Sequence, residues 1–174
     1  MAKYTSAEAA KLLRELREKH HLLLVKEGNA KTFRASIGED PESLRPVYDY
    51  EETQRQLAAV EEKIRLVRHA INLFNITTEV EGMTIDEVLV CLPQLKERRE
   101  KLSKMIGRLP RQRVQPEMMH FGRGSSIIDY DYVNYDIEKA ERDFRDVSVS
   151  IGRLQAALDL ANSTRTLEID ISVD

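Results

Sequence analysis

Apolar residues recur along most of this chain at alternating steps of three and four, the spacing that lines side chains along one face of an α-helix. The clearest row is Leu57, Val60, Ile64, Val67, Ile71 and Phe74, while Glu61, Glu62, Lys63, Arg65 and Arg68 fall outside it. It predicts a helix over residues 49–77 with an unbroken heptad seam. A second row, Ile85, Val88, Leu92, Leu95, Arg99, Leu102, Ile106 and Leu109, predicts a helix over 84–108 that opens on a capping-box pair, Thr84 and Glu87. Pro93 lies inside it and is expected to kink it, because proline removes a backbone donor and crowds the carbonyl four residues back. A third row, Ile137, Ala140, Phe144, Val147, Ile151, Leu154, Leu158 and Ala161, predicts a helix over 136–161, with Gly152 leaving room for close helix approach. Leu12, Leu13, Leu16, Leu23 and Leu24 predict a first helix over 6–26, capped by Thr5 with Glu8 and stopped by a left-handed Gly28.

One apolar stripe per helix has to be covered by a partner. Residues 79–83 form a connection short enough to force an antiparallel helical hairpin. The connections 28–48 and 109–134 are longer. In the second, Ile127-Ile128-Asp129-Tyr130-Asp131-Tyr132-Val133 alternates apolar or aromatic with acidic residues, the period of a half-exposed strand. A strand over 126–133 is expected to pair with one over 31–37, and the tail 166–173 to add a third. The expected fold is mainly α: an elongated antiparallel four-helix bundle or coiled-coil hairpin, one domain over 1–174, with a small β-ribbon in the long connections. Leu66, Leu73, Ile76, Leu89 and Met105 lie off the main seams and predict a second apolar stripe, hence a homo-oligomer, a dimer or larger.

Composition narrows the function. Of 174 residues, 33% are charged and 6% aromatic, with no tryptophan, seven glycines and five prolines, a mixture that fits long amphipathic helices. The opening MAKYTSAEAAKLL lacks the apolar core of a secretory signal, and no apolar run approaches the roughly 20 residues that span a bilayer. A cytoplasmic chain without a membrane span is expected. A single cysteine excludes an intrachain disulfide framework. Net charge is −3, yet residues 96–113 hold eight basic residues against two acidic ones. Arg108, Arg111 and Arg113 close that segment and form the candidate interaction patch. Residues 129–146, with seven acids and three bases, offer internal neutralisation. The aromatics do not interleave with the bases along the chain, which argues against nucleic-acid binding.

Catalytic chemistry finds little support. His20, His21, His69 and His120 show no His-x-x-x-His or Glu-x-x-His spacing, and Cys91 has no histidine beside it, so neither a metal site nor a nucleophile is expected. Asp129 and Asp131 are two carboxylates without a loop cage. Phe121-Gly122-Arg123-Gly124-Ser125-Ser126 lacks the lysine of a phosphate loop and reads as a turn. No cofactor and no enzymatic activity are expected. Asn75 with Thr77 and Asn162 with Thr164 stand at corresponding places, each just past the end of a seam, and are assigned to helix capping.

Ile71-Asn72-Leu73-Phe74-Asn75-Ile76-Thr77-Thr78 followed by Gly82-Met83-Thr84-Ile85-Asp86-Glu87-Val88-Leu89 resembles the turn between two long helices in a bacterial family, the septicolysins. Asn29-Ala30-Lys31, Gly38-Glu39-Asp40-Pro41 and Leu158-Asp159-Leu160-Ala161-Asn162-Ser163-Thr164 extend the likeness, with Ser163 and Arg165 where the family carries tryptophan and a second threonine. The resemblance implies a helical fold, and the family name hints at a membrane-active lysin. The residues themselves favour a self-associating interaction or scaffold protein with an unknown protein partner. Lysin-like action and nucleic-acid binding through 96–113 are the alternatives.

Overall fold

The computed structural model describes residues 2–114 and 129–171. The protein is mainly helical, with small antiparallel strand pairs. In chain order the elements are β1 (Ala2–Thr5), α1 (Ser6–Ala30), α2 (Pro41–Leu44), α3 (Tyr50–Thr77), β2 (Glu79–Val80), β3 (Met83–Thr84), α4 (Ile85–Ile106), β4 (Arg111–Arg113), β5 (Tyr130–Tyr132), α5 (Ile137–Thr164) and β6 (Thr166–Ile169). They fall into two compact units, one of Met1–Glu87 with Ala157–Asp174 and one of Val88–Ala156.

The first unit is built on α3. Of its seam, Leu57, Val60, Val67 and Phe74 are buried, and Ile64 and Ile71 are half-buried. Helix α1 lies antiparallel against it. The Nε2 of His20 is 3.1 Å from the Glu61 carboxylate, while the Gln54 amide and the Tyr48 hydroxyl both donate to Glu27, at 2.8 and 3.0 Å. Residues 20 and 27 of one helix thus meet 61 and 54 of the other, which sets direction and register. Partial burial, and then the hydrogen bond to the Glu27 carboxylate, raise the Tyr48 phenol above its usual value of 10.0. Only Ala9 of α1 is buried outright; Leu12, Leu13, Leu16 and Leu23 are half-buried.

The chain ends close this unit. β1 pairs with β6, Ala2 opposite Ile169 and Thr5 opposite Thr166. Leu167 and Ile169 alternate inward and are buried, while Glu168 points out and meets Lys3 at 3.7 Å. The tail is therefore a strand, as its alternation predicts, but it ends its pairing at Ile169 and its partner is the amino terminus.

The β2–β3 hairpin turns through Glu81 and Gly82, both with positive φ (53° and 78°), the conformation of a two-residue turn that follows strand twist. It delivers the chain to α4 at Thr84. There, as at Thr5, a complete capping box forms. Each threonine backbone N–H donates to the glutamate three residues on, at 2.8 Å for Glu8 and 2.7 Å for Glu87, and each glutamate N–H donates back to the threonine hydroxyl at 3.2 Å. Asp49 and Asp136 cap α3 and α5 in the simpler way, accepting from the N–H groups of Glu52 and Lys139.

In the second unit, Val88, Leu92 and Leu102 of α4 and Ala140, Val147, Ile151 and Leu154 of α5 are buried. The two helices run antiparallel. The Tyr135 hydroxyl donates to the Met105 carbonyl at 2.7 Å, serving one of the last acceptors of α4, and Phe144 lines a shallow depression with Lys96, Arg99 and Ser103 a few turns away. β4 pairs with β5 between them. α4 remains one helix through Pro93.

Several expectations are corrected. Residues 31–37 form no strand: they are exposed, turn at Gly38 (φ 98°), and the partner expected for them is taken by β4. The strand expected over 126–133 is present over Tyr130–Tyr132, and 126–128 lie outside the described residues, as do 172 and 173 of the tail. Gly28 is not a left-handed stop; α1 passes through it to Ala30, where Lys31 donates to the Glu27 carbonyl. A Cβ at Gly152 would meet nothing within 4 Å, so this glycine serves no close helix approach.

Two measurements follow. Ile169→Ala empties a site that is 1% exposed and should cost about 2–5 kcal/mol, whereas Gly152→Ala should stabilise by up to about 1 kcal/mol; urea unfolding followed by circular dichroism reads both. The backbone N–H of Thr5 and of Thr84, helped by each hydroxyl, holds Glu8 and Glu87 below the usual 4.5. A carboxylate with a lowered native pKa stabilises fully above its unfolded value, and that contribution fades as pH falls through the native one. The melting temperature should therefore drop on acidification below about pH 4.5, and drop less in the Glu8→Gln/Glu87→Gln double variant.

Candidate interaction surfaces

Charged segments come together at the base of the β4–β5 ribbon. Arg111 lies opposite Tyr132, Gln112 opposite Asp131, and Arg113 opposite Tyr130. Cross-strand partners share a face of a ribbon. One face thus carries two arginines and two tyrosines, and the other carries Gln112 and Asp131. The Arg111 guanidinium sits 3.6 Å from the centre of the Tyr130 ring and 5.7 Å from that of Tyr132, within cation–π range of both. The ring centres are 6.4 Å apart and the rings tilted by 51°. All six strand residues are exposed, Tyr132 to 66%. Aromatics and bases, separated along the chain, interleave in space.

Arg108 stands at the ribbon's foot. With Met105, Leu109, Gln112, Asp131 and Tyr135 it lines an open depression of about 260 Å³. On α4 it borders a second shallow one, with Glu97, Glu100, Lys101 and Lys104. Within 96–113 and 129–146 the ion pairs seen are local ones, Lys104 with Glu100 and Arg142 with Asp136 and Glu138. The Lys104 ammonium also lowers the Glu100 carboxyl below its usual value.

A different surface runs along α1. Arg14, Arg17, Glu18, His21 and Leu22 line a shallow depression, and Val25 continues the same helical row. Leu22 and Val25 are 59% and 44% exposed. Of the residues expected to form second apolar stripes, Leu73, Ile76 and Leu89 are exposed, while Leu66 and Met105 are half-buried.

Asn75 and Asn162 lie inside the last turns of α3 and α5, the latter helix running on to Thr164. The threonines act there: the Thr77 hydroxyl donates to the Leu73 carbonyl at 2.7 Å, and that of Thr164 to the Leu160 carbonyl at 2.6 Å. His20 bonds Glu61 across helices, Cys91 is half-buried, and His120 and the glycine turn 121–126 lie outside the described residues. Among the described residues no three His, Cys, Asp or Glu side chains gather as metal ligands would, and no helix is long and apolar enough to cross a membrane.

No protein-family model matches the chain, and no curated protein matches it. In fold it is similar to the crystal structure of a functionally unknown conserved protein from Corynebacterium diphtheriae, at 17% identity and a TM-score of 0.57, over 96% of this chain and 100% of that one.

Proposed function

We propose that this chain is a septicolysin-like, self-associating helical interaction protein with no catalytic role, its helices combining as an antiparallel four-helix, coiled-coil-type bundle. The row Arg14, Glu18, His21, Leu22 and Val25 on α1 carries the reading. α1 turns its half-buried leucines to α3, and this second row, with two exposed apolar side chains, has no covering element in its own unit. Its charges favour a second copy as the occupant. Arg14 lies one turn before Glu18 and Arg17 directly beside it, so a parallel two-fold contact between α1 helices sets each copy's bases near the other's acid, next to the apolar pair. The turn residues Asn75, Gly82, Thr84 and Glu87, at the α3–α4 junction, support the family resemblance.

Light scattering at micromolar concentrations should give about twice the 20.1 kDa of one chain or more, and Leu22→Glu with Val25→Glu should bring the mass to one chain at unchanged helix content. A wild-type monomer throughout would remove the reading.

A further inference from the structure

The β4–β5 ribbon combines a cationic edge with aromatic faces. Arg111 and Arg113 project from the side that carries Tyr130 and Tyr132, and Asp131 is placed on the other. We propose that this face binds single-stranded nucleic acid, the arginines meeting phosphates and the tyrosine rings stacking on bases.

Four features of the ribbon support this. Segregation by face places two arginines on the binding side and the nearest strand carboxylate on the other, although the chain carries −3. Screening confines that field to about 8 Å at physiological salt, so distant acids matter little. Second, the rings are accessible: Tyr132 is 66% exposed and Tyr130 37%, more than a purely structural pair requires. Third, their centres are 6.4 Å apart, so neighbouring bases of an extended strand can each meet one ring. Fourth, the Arg111 guanidinium sits 3.6 Å from the centre of Tyr130, close enough to hold the ring in place and extend the stacking surface.

The same chemistry selects among polyanions. Bases in a duplex are already stacked on one another, so exposed rings reward only unpaired ones. Carboxylates of an acidic peptide gain from the arginines but nothing from the rings. Arg108 and Tyr132 line one depression at the ribbon's foot together with Asp131, and Lys104 beyond it is paired with Glu100, so the cationic face is that of Arg111 and Arg113. Charge balance and linear order argued against nucleic acid; strand pairing reverses the second argument by laying Tyr130 and Tyr132 across Arg113 and Arg111.

The test is a fluorescence-anisotropy titration of the whole chain against labelled oligo-dT and oligo-U of twelve nucleotides, a duplex of equal length, and poly-glutamate, starting near 50 mM salt. Saturable binding to either single strand, several-fold tighter than to the duplex or to poly-glutamate, is expected. Tyr132→Val should weaken it by about tenfold, the size of one lost base–aromatic stack. Arg111→Gln with Arg113→Gln should flatten the logarithmic salt dependence by about 1.4, from about 0.7 per phosphate contact on a single strand. The wild-type chain supplies a second reading, since unlabelled oligo-dT should quench its tyrosine fluorescence and poly-glutamate should not. No binding of either single strand, equal binding of the duplex or of poly-glutamate, or variants that bind as wild type would each overturn the proposal.

Discussion

Burial of one row of side chains on α3 is the constraint on which the first unit rests. Leu57, Val60, Val67 and Phe74 leave water as α1 and β6 pack on α3, and α1 itself buries only Ala9 outright. An isolated helix with a single apolar stripe is marginal in water, so α1 is helical in this protein because α3 is there. Non-directional burial does not choose how two rods line up. The polar groups do: Glu27 gathers Tyr48 and Gln54, and His20 meets Glu61. Such contacts on partly exposed groups contribute little net stability, but a shifted register would leave Glu27 half-buried without its donors.

What was legible in the sequence followed from locality. Seams at steps of three and four located the helices, and the capping boxes at Thr5 and Thr84 appear as the residue pattern predicts. Pairings distant in sequence were not legible. Ala2-Lys3-Tyr4-Thr5 alternates over only four residues, too short a run to read as a strand, and becomes one because β6 lies beside it. Arg111-Gln112-Arg113 is a poor strand by propensity, yet it, and not 31–37, pairs with β5. Gly28 and Gly152 carried signals that the surrounding helix overrode, since continuing the hydrogen-bond ladder outweighs the cost of a helical glycine. For the candidate surfaces the lesson is the same. Arg108, Arg111 and Arg113 could be read from charge alone, but the aromatics that give two of them a chemistry stand about twenty residues away and arrive only through strand pairing.

Each unit offers its own surface. On α1 the row from Arg14 to Val25 sets two exposed apolar side chains among charged ones. On the ribbon the side chains are charged and aromatic, with no apolar centre, which suits a ligand whose own surface alternates charge and ring faces. One surface is provided by a helix held by packing, the other by six exposed residues held by a short hydrogen-bond ladder. The scaffold can therefore tolerate substitution on the ribbon far better than along the α3 seam.

Native-state hydrogen exchange tests the primacy of that seam most directly. Amides of α3 between Val60 and Phe74 should exchange slowest in the first unit, at the free energy of global unfolding, with those of α1 opening at lower cost. If α1 amides outlast those of α3, or α3 exchanges as fast as the exposed residues 31–45, then the row from Leu57 to Phe74 does not hold the unit together and the account is contradicted.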